Sequence, residues 1–297
     1  MNELTIAFIG YGEAGGLLAH GLAQRGLPVR VYDILFDVPD QRAAMLEKAR
    51  LGKVRACKTL AEAVRGAHVV VSAVTATSAA QAAEDAGRMM TTGQVFLDIN
   101  SVSPETKRGD CKLIEASGGD YVEAAVMAPV PPYGIKVPML LGGKRAEEVA
   151  TLLSGLGMKA KAVSQEVGVA SAIKMRRSVM IKGLEALTVE SMAAARHYGC
   201  EAAVLASLEE TFPGMGWTKQ LPHYLISRVA EHGERRAAEM REVTQTLRDA
   251  GVPPYMSAAS AQVQDAVPKA MREHAIAYDA SVPFEWQVLV DQLAGKN

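Results

Sequence analysis

Apolar positions follow two different rhythms along the chain. From residue 4 to about Ala162, short aliphatic runs recur: "LTIAFIG", "VRVYD", "HVVVSAV", "VFLDIN" and "MLLGG". Helix-like stretches separate them. Runs this short and apolar suit strands buried on both faces, and their alternation with helices predicts a parallel α/β sheet. After Ser164 the runs stop, and Ala, Met, Glu and Arg dominate with helical spacing to the end. Residues 1–163 are therefore assigned to an α/β domain and residues 164–297 to an all-helical domain. No flexible linker stands out, so a long helix starting near Val167 is expected to join the two directly. There is no internal repeat or low-complexity segment.

Composition narrows the class. The 297 residues are 49% hydrophobic and 22% charged, as in an ordinary globular protein, with room for a full core. The net charge of −1 and pI of about 6.6 lack the basic excess of a nucleic-acid binder. No apolar run approaches the roughly 20 residues of a membrane span, and the opening residues carry no secretory signal pattern. Cys57, Cys111 and Cys200 are few, odd in number and far apart, and no His pair has ligand spacing. Neither a disulfide framework nor a metal site is expected, and a reduced, cytoplasmic protein fits.

The strongest local motif follows the first strand. "TIAFIGYGEAGGLLAHGLAQRG" reads as strand, Gly10-Tyr11-Gly12-Glu13-Ala14-Gly15, then helix. Gly10 permits a tight turn, Gly12 lets backbone approach a pyrophosphate, and Gly15 lets the helix pack close to the strand. The helix N-terminus then offers free N–H groups to phosphates. Asp33 ends the next strand, where a carboxylate can accept the adenosine ribose hydroxyls and repel a 2′-phosphate. NAD is therefore favoured over NADP in a Rossmann-type domain. A strand-end Asp is also a common cap, so that reading of Asp33 stays open beside the first.

Other strand ends should face the same crevice. "VVVSAVTATS" ends in Thr75 to Thr77, and "VFLDINSVSPETKR" ends in Asn100 and Ser101. Ser103 with Pro104 reads as an N-cap and first helical residue, and Thr59 with Glu62 as a capping box.

The glycine fingerprint, "LDINSVSPETKR" and "VGVASAIKMRRS" occur in the order seen in the β-hydroxyacid dehydrogenases, which this chain resembles over most of its length. The resemblance implies a Rossmann domain, a long interdomain helix, an all-helical C-terminal domain and a homodimer built through the helical domains. It also implies that Lys174, six residues after Gly168, is the general acid or base at the substrate hydroxyl. Asn100 and Ser101 would lie near nicotinamide and substrate. The family's later Lys-Asp pair falls on Ala238-Glu239, so the acid is kept and the lysine lost. Its substrate loop, Asp-Ala-Pro-Val-Ser-Gly-Gly, appears here as Glu123-Ala-Ala-Val-Met127-Ala-Pro129. The asparagine that follows the family's lysine is replaced by Arg177 or Ser178. Cofactor and lysine chemistry are thus expected to persist while head-group recognition changes.

On a helix, Lys174, Arg177 and Ser178 share a face, with Arg176 and Lys182 off that line. Partial desolvation beside two arginines should loosen the hold of Lys174 on its proton, which suits exchange with an alcohol. Arg177 can grip a carboxylate bidentately, or pair with Glu239 or Glu190. Arg235, Arg236 and Glu239 lie in "HGERRAAEMREV", readable as a site or as a solvated face with pairs such as Glu231–Arg235. The turn-rich "PGMGWTKQLPHY" is expected to line the far wall of the cleft, with simple burial the alternative for Trp217. The expected function is hydride transfer between NAD (NADP being possible) and a small anionic 3-hydroxy acid. Catalysis falls to Lys174, cofactor binding to residues 10–15, Asp33, Thr75 and Asn100, and substrate binding to Ser101, Met127, Arg177, Ser178, Arg236 and Glu239. Imine reduction and a catalytically silent NAD-binding sensor are the alternatives.

Overall fold

The computed structural model describes residues 4–295. It divides into two compact units, which part between Lys174 and Met175. In the first, β1 (Ile6–Ile9), α1 (Glu13–Ala23), β2 (Val29–Tyr32), α2 (Pro39–Leu51) and β3 (Arg55–Ala56) come first. Next are α3 (Leu60–Val64), β4 (Val69–Ser72), α4 (Ala79–Gly87), β5 (Val95–Asp98) and α5 (Pro104–Ala116). β6 (Asp120–Val126), β7 (Pro138–Gly142), α6 (Ala146–Gly155) and β8 (Lys159–Ser164) complete the sheet, in the order β3-β2-β1-β4-β5-β6-β7-β8.

β1, β4 and β5 are buried at every position, as strands covered on both faces must be. Two apolar clusters form the core on the faces of the sheet, one around Phe8, Leu18 and Leu141, the other around Val70, Phe96 and Ile114. The register places Tyr32, Ile9, Ser72, Asp98 and Glu123 in one row across five parallel strands. Ligands in such sheets gather just beyond this edge.

The sheet departs from all-parallel at one pair: β7 runs antiparallel to β6. A parallel return needs a crossover of a dozen or more residues, usually helical. Residues 127–137 are too few, and Pro129, Pro131 and Pro132 leave only a short 3₁₀ turn at Gly134–Lys136. Three strands also extend the sequence expectation. β3 has two residues, β8 is the edge strand "KAKAVS", and β6 takes in Glu123 to Val126, which the sequence places in a loop.

The long helix α7 spans Val169–Tyr198. Beyond it, the second unit contains α8 (Glu201–Thr211), α9 (Leu221–Asp249), α10 (Tyr255–Glu273) and α11 (Trp286–Leu293). Its apolar core gathers Met192, Ile226, Val229, Trp286 and Leu289, with a second cluster of Met175, Met240, Val243 and Ala261. Trp217 is buried. No helix among the described residues is long and apolar enough to cross a membrane.

Candidate active site

The glycine loop has the shape its spacing implies. Gly10 adopts φ +90°, and a Cβ there would collide with the Ala73 carbonyl oxygen. A Cβ on Gly15 would collide with the Gly10 carbonyl oxygen. Gly12, by contrast, faces open space and caps α1 with no side-chain acceptor. Exposed Glu13 and half-buried Ala14 follow it in the first turn. An open glycine over an uncapped helix start is a fitting cradle for a dinucleotide pyrophosphate.

The loop is held from beneath by side chains. Asp33 accepts from the Tyr11 N–H at 2.6 Å and the Leu35 N–H at 2.9 Å, capping the 3₁₀ turn after β2. The capping alternative for Asp33 is therefore realised, whatever it also offers a ribose. Lys48 of α2 donates to the carbonyl oxygens of Tyr11 (2.6 Å) and Gly12 (2.9 Å), with its ammonium 4.5 Å from the centre of the Tyr11 ring. Burial lowers the Lys48 pKa, with Asp33 pulling the other way. The Tyr11 side chain is fully buried, its hydroxyl against His20 and the Lys48 carbonyl. Burial pushes that phenol up to about 12. Tyr11 thus faces the core, with its backbone N–H and carbonyl engaged by Asp33 and Lys48.

At the ends of β4 and β5, Asn100 is buried between strands. Its Oδ1 accepts from the Val74 N–H (2.8 Å), and its Nδ2 donates to Ser72 Oγ (2.9 Å). Thr75 is exposed, its hydroxyl bonded to those of Thr77 (3.1 Å) and Ser78 (3.0 Å). Beneath them lies a buried charge cluster. Asp98 accepts from Lys107 Nζ (2.9 Å), the Asn100 N–H (2.9 Å) and Tyr121 OH (2.6 Å). Ser103 caps α5 as its sequence context implies, and Thr59 caps α3.

Ser101 projects just beyond this cluster and meets the lysine. Lys174 Nζ and Ser101 Oγ are 2.5 Å apart, both groups half-buried. The structure thus brings together two residues 73 positions apart in sequence. Met127 directly follows β6 and is half-buried. Its N–H donates to the Pro138 carbonyl at 2.8 Å, which ties the residue after β6 to the first residue of β7.

The start of α7 is organised from a distance. Gly168, just before the helix, has φ +103° and no side chain to cap it. Glu123 of β6 takes that place. Its fully buried carboxylate accepts from the N–H groups of Gly168 (2.7 Å), Ala170 (2.9 Å) and Ser171 (3.3 Å).

In the helical unit, Arg177 is exposed and Ser178 half-buried on α7. Lys182, placed off the functional line by helical spacing, is buried and paired with Glu239 of α9. Glu239 is therefore already engaged by Lys182. Arg236 donates to Glu185 at 2.9 Å, where Glu185 has no exposure and also accepts from Gln264 at 3.0 Å. Burial lowers the Lys182 and Arg236 pKa values and raises that of Glu185. Glu231 pairs with Arg228 (3.1 Å) and not with Arg235, which instead approaches Glu239 at 4.0 Å. Sequence reasoning misses Lys48, Glu123 and Glu185.

A glycine fingerprint on an open helix start, at the carboxyl edge of a mostly parallel sheet, defines a dinucleotide-binding Rossmann protein with an all-helical second part. Known proteins agree with this assignment. Residues 5–132 match the NAD binding domain of 6-phosphogluconate dehydrogenase, and residues 195–267 match a domain of unknown function, DUF1932. A conserved hypothetical protein from Sinorhizobium meliloti 1021 is 39% identical, with a TM-score of 0.80 over 98% of this chain and 96% of that one. The conserved protein MTH1747 of unknown function, described as structurally similar to 3-hydroxyacid dehydrogenases, is 33% identical. Its TM-score is 0.73 over 92% of this chain and 100% of that one. The 3-hydroxyisobutyrate dehydrogenase of Pseudomonas aeruginosa is 25% identical over 73% of this chain and 72% of its own. The chain belongs to the β-hydroxyacid dehydrogenase family.

Proposed function

We propose that the protein is an NAD-dependent oxidoreductase acting on the alcohol carbon of a 3-hydroxy acid, or on the matching semialdehyde or keto form. The contact between Lys174 and Ser101 carries this reading. It puts an amine and a hydroxyl together beyond the strand edge where a nicotinamide would lie. When bound, the cofactor supplies hydride acceptance or donation. In oxidation, neutral Lys174 Nζ takes the hydroxyl proton as the C–H hydrogen leaves as hydride; in reduction the ammonium returns it. Ser101 orients the amine and the substrate oxygen.

Asp33 supports a preference for NAD, since a second negative group beside a 2′-phosphate is unfavourable. Arg177 and Ser178 are the proposed grip on the substrate's anionic group. Arg177 is exposed and, among the described residues, in no ion pair, whereas Arg236 and Glu239 are already engaged with Glu185 and Lys182. Met127 supplies an apolar wall. We also propose a homodimer through the helical part. Along α7, Met180 (73% exposed), Leu187 (53%) and Tyr198 (79%) keep apolar surface in water. The first two are one heptad apart, a spacing suited to a second helix.

The test is turnover of NAD+ and NADP+ with a panel of 3-hydroxy acids, and of the reduced cofactors with semialdehydes and cyclic imines. Lys174→Ala should lower kcat by about 10²–10⁴ for the hydroxy acid. Unchanged turnover would remove Lys174 from the mechanism. Tight NADH binding with no turnover of any substrate would leave a silent cofactor-binding protein.

A further inference from the structure

We infer that Glu123 is the positioning residue for Lys174: anchored in the sheet, it fixes the first turn of α7 and so the place of the lysine amine beside Ser101. The inference rests on the proposed role of Lys174.

The geometry is specific. The opening N–H groups of a helix have no partner within the helix, and a cap residue's own side chain usually serves them. Gly168 cannot do so. It adopts φ +103°, a left-handed conformation that disfavours any residue with a side chain. The acceptor comes instead from 45 residues earlier, out of β6. One oxygen of Glu123 takes the Gly168 and Ala170 N–H groups, the other that of Ser171. A full negative charge at a helix N-terminus also meets the positive end of the helix dipole.

The sheet makes room for this carboxylate. A Cβ on Gly142 of β7 would lie 2.6 Å from Glu123 Oε1, so a side chain there would drive the carboxylate away. Glu123 itself is aligned with Asp98, the residue three before Ser101, in the strand register. The same row of strand ends therefore supports both partners. Asp98 holds the backbone leading to Ser101 through the Asn100 N–H, and Glu123 holds the helix carrying Lys174. Lys174 stands three residues, just under one turn, beyond Ser171. A shift in the first turn is carried to the lysine with little slack.

Two measurements test this without using turnover. The first is acylation of Lys174 by acetic anhydride, followed by peptide mapping, with exposed Lys112 as the internal standard. Glu123→Gln keeps the volume but replaces one acceptor oxygen by an NH₂ group, so one or more of the three N–H groups loses its acceptor. Lys174 labelling should rise at least about threefold, towards the rate in Ser101→Ala, with Lys112 unchanged. A folded Glu123→Gln protein whose Lys174 labels at the wild-type rate overturns the inference. The second measurement is amide hydrogen exchange of the wild-type protein. Gly168, Ala170 and Ser171 should exchange at least about 100-fold more slowly than in a free peptide, and unprotected rates at these amides also overturn it. If Glu123→Gln does not fold, the exchange result decides. Faster Lys174 labelling in a protein that turns over no hydroxy acid would sink the proposed function and leave the positioning role intact.

Discussion

Arg236 and Glu185 form an ion pair at 2.9 Å with the carboxylate wholly removed from water. The cost of burying two charges is offset only while both are present. Arg236→Ala should therefore destabilise the helical unit by about 3 kcal/mol, read as a lower urea midpoint. The double change Glu185→Met with Arg236→Leu should cost less than the single one. A single variant as stable as wild type would show that the pair is hydrated in solution.

Lys48 should matter for cofactor affinity without touching chemistry. It bonds two carbonyl oxygens of the glycine loop, and its charge lies next to the phosphate cradle. Lys48→Met should weaken NADH about tenfold by fluorescence titration, ADP comparably, and adenosine hardly at all. Equal losses for all three would point to loop collapse.

Asp33 caps N–H groups of the loop and is proposed to select NAD, and its variants should separate the two roles. Asp33→Ala removes the acceptor for the Tyr11 and Leu35 N–H groups as well as the charge. Affinity for NADH should fall by more than that for NADPH, so the ratio of dissociation constants moves towards NADP. A ratio unchanged from wild type would reduce Asp33 to a cap.

Asp110 should make stability depend on pH. Burial, then the charge of Asp98, raises its pKa to about 6, against the opposing pull of Lys107, and its Oδ2 has no hydrogen-bond partner among the described residues. A carboxyl with a raised folded pKa holds its proton more tightly folded than unfolded. Its contribution is complete below the usual Asp value of about 3.9 and is lost as pH rises through about 6. Asp110→Asn should remove that loss and gain roughly 1–2 kcal/mol over wild type at pH 7.5, after allowance for solvent screening. At pH 4 the two should be nearly equal. A constant difference between pH 4 and 7.5 would exclude the titration of Asp110 as its source.

The apolar stripe on α7 offers a direct check of assembly. Met180→Glu with Leu187→Glu should turn a dimer into a monomer by light scattering while helical circular dichroism stays the same. A wild-type protein that is already monomeric at micromolar concentration would end the dimer proposal.

What can be read from the chain is local. Gly10, Gly12 and Gly15 sit within six residues, and the caps at Ser103 and Thr59 lie within four residues of the N–H groups they serve. Their physics is contained in a short window. β6 is hidden because "DYVEAAV" is buried almost throughout, acid included, and so shows no alternation. The burial of Lys182 and Glu185 is hidden for another reason: their partners Glu239 and Arg236 lie 57 and 51 residues away. The charge of a side chain says little about its exposure when its counter-charge comes from another helix.

The missing side chain at Gly142 has a consequence for how the chain can change over time. Glu123 needs the space this leaves, and the Gly168 N–H needs Glu123, so the three positions are linked by contact. A methyl group arriving at 142 would displace the acid at 123, and an apolar residue at 123 would leave the turn at 168 without its acceptor. Among descendants of this sequence, a side chain at 142 should appear only where the residue at 123 has also changed, although the two are not neighbours in the chain.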